Sequence, residues 1–166
     1  FYSMSRSILQ QIESAEMLNR AASSRRTAAP IHVKIDTGMG RVGIRYDEVD
    51  ALIEKLAQLR NLRVEGLMTH FAAADDIAQN EFTDLQIERF YDVVAKFRAK
   101  GFDPECVDLA NSPGAVAHPK SLGNMVRLGG ILYGLAGDVF PAGVPLPELQ
   151  PVMSLRSKIT HIKKVP

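Results

Sequence analysis

The sequence predicts an α/β fold in which a parallel sheet is covered by helices. Three observations carry this. Amphipathic stretches with helical spacing alternate with short β-branched runs in a β-α-β-α-β order. Polar, often glycine-bearing motifs fall at or near the C-terminal end of each predicted strand, where parallel α/β folds put their chemistry. The 166 residues are 46% hydrophobic and 23% charged, ordinary values for a folded chain, which argues against disorder. A doubly wound sheet and a (β/α)8 barrel both satisfy this pattern.

Taken in order, Ile8, Ile12, Ala15, Leu18 and Ala22 recur at helical spacing, so about residues 5–23 read as an amphipathic helix. Ile31, Val33 and Ile35 form a short β-rich run, stopped by Thr37-Gly38-Met39-Gly40 because two close glycines suit a loop. Val49, Leu52, Ile53 and Leu56 mark a second helix with Asp47 as N-cap. Val64 to Thr69 is the next strand. Phe90, Val93, Val94 and Phe97 mark a third helix, ended by Gly101 and Pro104. Cys106 to Ala110 is a strand cut off by Asn111-Ser112-Pro113-Gly114, and residues 125–130, where Met125 to Leu128 leads into Gly129-Gly130, are expected as a further parallel neighbour in the sheet. Residues 137–151 carry four prolines and read as a linker; 152–166 read as the first strand of something else.

Composition excludes several function classes. Lys+Arg is 20 and Asp+Glu is 19, a formal net charge of +1, so no nucleic-acid partner is expected. No apolar run approaches the roughly 18 residues of a membrane helix, so no membrane partner is expected either. The lone Cys106 excludes an internal disulfide framework and a cysteine-rich zinc site. Asp75 and Asp76 have no histidine at ligand spacing and read as a loop or cap, so no metal is expected. No signal peptide is visible, and a cytoplasmic location is the default expectation. The chain opens at Phe1 without Met and closes within an alternating run, which reads as a fragment of a longer protein. The run Gly38-Met39-Gly40-Arg41-Val42-Gly43 approaches a dinucleotide fingerprint, but the next helix starts too late for one.

The run Lys34-Ile35-Asp36-Thr37-Gly38-Met39-Gly40-Arg41-Val42-Gly43 resembles alanine racemase. The resemblance continues at Thr69-His70-Phe71-Ala72, at Asn111-Ser112 and at Val126-Arg127-Leu128-Gly129-Gly130-Ile131-Leu132-Tyr133-Gly134. Gly130 departs from it, since many relatives carry a bulkier apolar residue there. The resemblance implies residues 1–136 as part of a (β/α)8 barrel, about strands four to eight, with the end of strand four at Phe1 to Ser3. A β-rich C-terminal domain would begin at residues 152–166. It further implies pyridoxal phosphate, interconversion of L- and D-alanine for peptidoglycan, and a homodimer with shared active sites. The family's Schiff-base lysine and catalytic tyrosine match no residue here, so the 166 residues alone are expected to be inactive. A serine or broad-specificity racemase, and a non-catalytic pyridoxal phosphate barrel, are the rivals.

The resemblance also implies roles, each with a physical counterpart. Arg41 would sit beside the cofactor's phenolic oxygen and the substrate carboxylate, where a planar guanidinium forks onto both oxygens. Lys34 shares strand parity with His32 and Asp36; a lysine aimed into a barrel is costly unless paired or altered. In many relatives the matching lysine is carbamylated, and a plain salt bridge to Asp36 or another acid is the alternative. His70 would support the cofactor and arginine network. Ser112, Gly129 and Gly130 would hold the phosphate, which needs backbone N–H groups with nothing bulky in front and a hydroxyl donor, and Asn111 would also bind the cofactor. Arg127 would face the pyridine nitrogen, where most pyridoxal enzymes place an acid.

Overall fold

The computed structural model describes residues 7–135, 140, 143–145, 148–154 and 156–165. Its sheet is parallel throughout: β1 (Ser7–Leu9), β2 (Ala29–Asp36), β4 (Leu62–Met68) and β5 (Cys106–Asp108) lie side by side in that order. The two-residue β3 (Ile44–Arg45) pairs with the end of β2 after the glycine loop. Helices α1 (Ile12–Ser24), α2 (Val49–Gln58) and α3 (Asn80–Ala99) connect the strands. This is the α/β arrangement expected from the alternation of periods.

Alternation along β2 separates two faces. Ile31, Val33 and Ile35 are fully buried and share one apolar cluster with Leu52, Ile53 and Leu56 of α2 and Phe90, Val93, Val94 and Phe97 of α3. His32, Lys34 and Asp36 occupy the opposite parity. Truncating Phe90 or Phe97, both fully buried, would cost about 3–5 kcal/mol. The helix side is thus an ordinary hydrophobic core, and the other face is free to carry charge.

Helix α3 ends as its sequence predicts. Gly101 takes φ +86°, its N–H donates to Arg98 O, and the Phe102 N–H donates to Phe97 O at 3.1 Å. The Phe97 and Phe102 rings meet 5.6 Å apart. Together these form a Schellman stop with its hydrophobic contact.

Four expectations need correction. The first helix begins at Ile12, and Ser7–Leu9 is a strand. Ile8 falls in helical register with Ile12 and Ala15 by coincidence, but it is exposed while Leu9 pairs with Val33 and is buried. Glu48 is the N-cap position of α2, and Asp47 instead binds the Arg45 guanidinium through both carboxylate oxygens. Residues 125–130 form no strand; their sheet contact is one parallel bridge between Asp108 and Met125. A run flanked on one side only, among the described residues, lacks the second ladder that would regularise it. The described residues of 152–165 likewise form no strand, and Val152, Ile159, Ile162 and Val165 are exposed. Alternating apolar residues need a neighbouring strand to become one. The expected strand end at Phe1 to Ser3 and much of the 137–151 linker lie outside the described residues.

Candidate active site

The parallel register builds the floor of the site. Lys34 of β2 lies opposite Met68 of β4, and Met68 opposite Asp108 of β5, so these three form one row across the sheet. One level below, His32 lies opposite Gly66 and Gly66 opposite Cys106. A Cβ on Gly66 would meet the His32 ring at 2.8 Å, so glycine makes room for the imidazole. Arg41, His70, Asn111 and Ser112 follow the C-terminal ends of β2, β4 and β5, and the run with Arg127 and Gly129 is tied to β5 by the Asp108–Met125 bridge.

Arg127 is the most firmly held of them. Its backbone N–H donates to Ala110 O at 2.9 Å, its Nη2 donates to Thr69 O at 2.6 Å, and its Nη1 forms an ion pair with the fully buried Asp108. Burial pushes the Asp108 carboxyl above the usual carboxylate range, against the opposing pull of the Arg127 guanidinium. Asp108 was not singled out by sequence. Its signal is a carboxylate inside a strand, on the opposite parity to the buried Val107 and Leu109.

His70 stands beside this pair, with Nδ1 3.3 Å from Arg127 Nη2. A guanidinium has no lone pair to offer, so Nδ1 must accept and the ring proton sits on Nε2. Burial, then the charges of Lys34, Arg127 and Arg41, lower the His70 pKa to about 4. It is therefore neutral at physiological pH. The same forces act on Lys34: burial first, then Arg127 and Arg41, bring it to about 8, although Asp108 and Asp36 pull the other way. The half-buried Lys34 amine is thus easily deprotonated. Among the described residues it makes no salt bridge to Asp36, whose Oδ1 accepts from the Gly38 N–H at 3.0 Å and the Gly40 N–H at 3.1 Å.

Asp36 therefore shapes the glycine loop. Gly38, Gly40 and Gly43 all take positive φ, and a Cβ on Gly43 would lie 2.8 Å from Lys34 O. Arg41 stands exposed between them, near enough for its charge to act on both Lys34 and His70. On the other side, the Gly129 N–H donates to Ser112 Oγ at 2.9 Å. Asn111 Oδ1 accepts from the Gly114 N–H at 3.0 Å and caps α4 (Ser112–Ala117). Gly130 opens a 3-10 turn, Gly130–Tyr133. The structure thus joins His70 to Arg127 directly, couples Lys34 and Arg41 to them by charge, and ties Ser112 to Gly129.

Sequence reasoning missed Gln86 as well. It is fully buried on α3, where Phe90, Val93 and Phe97 share its apolar face. Its Oε1 accepts from the Ala72 N–H at 3.0 Å, and its Nε2 donates to Thr37 Oγ1 at 3.0 Å and His70 O at 3.3 Å. The signal was a polar residue on that face. Asp76 accepts from the Ala78 N–H at 2.9 Å, as a cap. No cluster of three or more metal-ligating side chains occurs among the described residues. No helix among them is long and apolar enough to cross a membrane.

Comparison with known proteins identifies the family. The family description "Alanine racemase, N-terminal domain" matches residues 5–137. Alanine racemase of Geobacter sulfurreducens is 40% identical over 161 residues, covering 95% of this chain and 41% of that protein. Two solved structures superpose well. Alanine racemase of Clostridium difficile 630 in complex with cycloserine gives a TM-score of 0.79 at 36% identity, over 95% of this chain and 43% of that one. Alanine racemase of Bacillus anthracis with bound L-Ala-P gives 0.75 at 30%, over 87% and 37%. The chain thus spans about two fifths of the length of the curated relative it matches. With its parallel sheet and these matches, the chain belongs to the alanine racemase N-terminal domain family, a TIM-barrel-type α/β fold.

Proposed function

We propose that the protein carrying this chain is an alanine racemase that holds pyridoxal phosphate at the C-terminal ends of these strands. One observation carries the reading: burial first, then the gathered cations Lys34, Arg127 and Arg41, lower the pKa of the half-buried His70 to about 4. Such a place favours an anion, and the cofactor phosphate and the substrate carboxylate are both anions.

The residues fit the cofactor. Ser112 Oγ accepts from Gly129, which leaves its own hydrogen to donate to a phosphate oxygen. A Cβ placed on Gly129 would meet no atom within 4 Å, so the approach to this turn is open. Asn111, Ser112, Gly129 and Gly130 would hold the phosphate, Arg127 the ring nitrogen, and Arg41 the phenolic oxygen and substrate carboxylate. When bound, the cofactor supplies an electron sink that makes the α-proton of alanine removable. Arg127, fixed by Asp108 and Thr69 O, offers a hydrogen bond to a ring nitrogen while keeping its own proton. His70 presents its Nε2–H while Nδ1 accepts from Arg127, which holds both groups in one orientation. The groups that take and return the α-proton match no residue of this chain.

Lys34 fits carbamylation on the same grounds. A pKa of about 8 leaves part of the amine neutral near physiological pH. Its attack on carbon dioxide forms an N–C bond and releases a proton, which turns one of three clustered cations into an anion. The same reading takes the described sheet as part of a (β/α)8 barrel and residues 152–166 as the start of a β-rich domain. It also includes a cytoplasmic homodimer that supplies D-alanine to peptidoglycan.

The test is to produce the complete gene product with pyridoxal phosphate and follow D-alanine from L-alanine. Turnover is expected. Cofactor binding without turnover of any amino acid would leave a carrier, and a preference for serine would leave a broader racemase.

A further inference from the structure

We propose that Gln86 is a positioning residue: from α3 it locks together the two segments that carry Arg41 and His70. The inference rests on the racemase reading for its kinetic consequence but not for its geometry.

Helix α3 lies on the outer side of the sheet, and most of its inward side chains are core apolars. Gln86 is, with Thr83, a buried polar member of that side, and its amide reaches the strand ends. Its carbonyl takes the Ala72 N–H and its amide serves Thr37 Oγ1 and His70 O. Thr37 follows β2 and opens the loop that leads to Arg41; His70 and Ala72 follow β4. One side chain therefore bridges two loops that no backbone ladder joins at this level. Because Thr37 Oγ1 accepts from the Gln86 amide, its own hydroxyl stays available for the Thr69 hydroxyl 2.8 Å away. Thr69 O in turn accepts from Arg127. The chain of bonds runs unbroken from α3 to the arginine.

Two neighbours on the same helix reinforce the contact. Arg89 Nη1 donates to Thr37 O at 2.9 Å, and its guanidinium lies 4.3 Å from the centre of the Tyr46 ring. Phe82 lies against Gly38, where a Cβ would come within 2.8 Å of its ring. Positions 82, 86 and 89 follow helical spacing and grip two successive residues of the loop. Of the three, only Gln86 also touches the His70 segment through hydrogen bonds. Together with the direct Thr37–Thr69 hydroxyl contact, it passes the position of one loop to the other.

The consequence is for His70. Its Nδ1 accepts from Arg127 only if its backbone stays where Gln86 holds it. Losing the amide should let the ring turn, so that the proton is shared between Nδ1 and Nε2. The test uses the complete protein with cofactor, its histidine rings labelled with nitrogen-15, in wild-type, Gln86→Met and Gln86→Glu forms. Wild-type should show the single Nε2–H form of His70. Gln86→Met, close in volume but unable to bond, should show mixed tautomers. Its kcat should fall about 10- to 100-fold, the cost of a small misplacement, with KM for alanine changed far less. Gln86→Glu keeps an acceptor for Ala72 but, when ionised, has no donor for Thr37 or His70 O. It should give the same result, and it carries the test if the Met form does not fold. Val94→Ala, a core truncation on the same helix, should lower the melting temperature without moving the His70 signals. A folded Gln86 variant with wild-type His70 tautomer and kcat overturns the proposal. A wild-type protein that does not racemise alanine overturns the racemase reading instead, and the tautomer comparison still decides the role of Gln86.

Discussion

Arg127 and Arg41 stand at two ends of one site and are held in opposite ways. Arg127 has its backbone bonded to Ala110, one nitrogen on Thr69 O and another against Asp108, with its side chain only 26% exposed. Arg41 is exposed on a loop of positive-φ glycines and, among the described residues, makes no hydrogen bond or ion pair. The loop itself is well fixed, by Asp36 from within and by Gln86 and Arg89 from α3. Only the guanidinium at its tip is left open. One arginine is oriented before anything binds, and the other is positioned by its backbone and waits for an anion. That division suits a group that must hold one fixed atom and a group that must receive an exchanging ligand.

The comparison breaks most readily at Arg127. Arg127→Met leaves the buried Asp108 without its counter-charge. Removing one partner of a buried pair costs about 3–5 kcal/mol, and partial exposure places this near the lower end, about 3 kcal/mol at neutral pH. The variant's Asp108 pKa should lie still further above its unfolded value. Folding then takes up a proton, so the penalty is full above the folded pKa and fades as pH falls toward the unfolded one. Urea unfolding of wild-type and variant at several pH values checks this. A penalty independent of pH would mean that Asp108 does not depend on Arg127.

Gly43 sharpens the other half. Its φ of +120° and the 2.8 Å approach to Lys34 O leave no place for a Cβ. Gly43→Ala should cost about 1–3 kcal/mol from backbone strain alone, seen as a lowered melting temperature. A variant as stable as wild-type would mean that the loop is less fixed than the comparison requires.

Not all of this is legible in the sequence. Strand β2 and helix α3 are, because their periods of two and 3.6 run long enough to be unambiguous. The pairing of Lys34 with His32 and Asp36 on one face follows from parity alone. Strand β1 is not, because three residues cannot show a period and Ile8 matches the helix by accident. Residues 125–130 have strand composition, yet composition does not supply a second neighbour. Asp108 and Gln86 escaped for a shared reason. Each is a single polar residue inside an apolar pattern, and periodicity discounts the odd member. The partners that make them significant are 19 and 49 positions away in the chain, Arg127 and Thr37.

The charge cluster predicts a pH signature smaller than either substitution above, because Lys34 and His70 are part-exposed and screened. Both folded pKa values lie below their unfolded ones, about 4 against 6.5 for His70 and about 8 against 10.5 for Lys34. Between each pair of values the unfolded chain binds more protons than the folded one, so stability should rise with pH through both windows. Lys34→Met should abolish the upper rise and His70→Gln the lower. An unchanged profile in Lys34→Met would remove Lys34 from the cluster.

The smallest expected effect on stability is at Arg41, and its smallness is the point. Arg41→Ala removes no bond that the described residues make and exposes no buried group, so the unfolding free energy should stay within about 0.5 kcal/mol. Function should separate from stability. If Arg41 waits for the substrate carboxylate, its loss forfeits hydrogen bonds to a charged group worth about 1.5–3 kcal/mol, and kcat/KM for alanine falls by roughly 10- to 100-fold at that magnitude. Arg41→Lys restores charge but not the planar fork, so it should recover only part. Arg127→Met, by contrast, should lose stability and activity together. If Arg41→Ala proved as destabilising as Arg127→Met, the open arginine would be a structural one, and the division between a fixed and a waiting guanidinium would collapse.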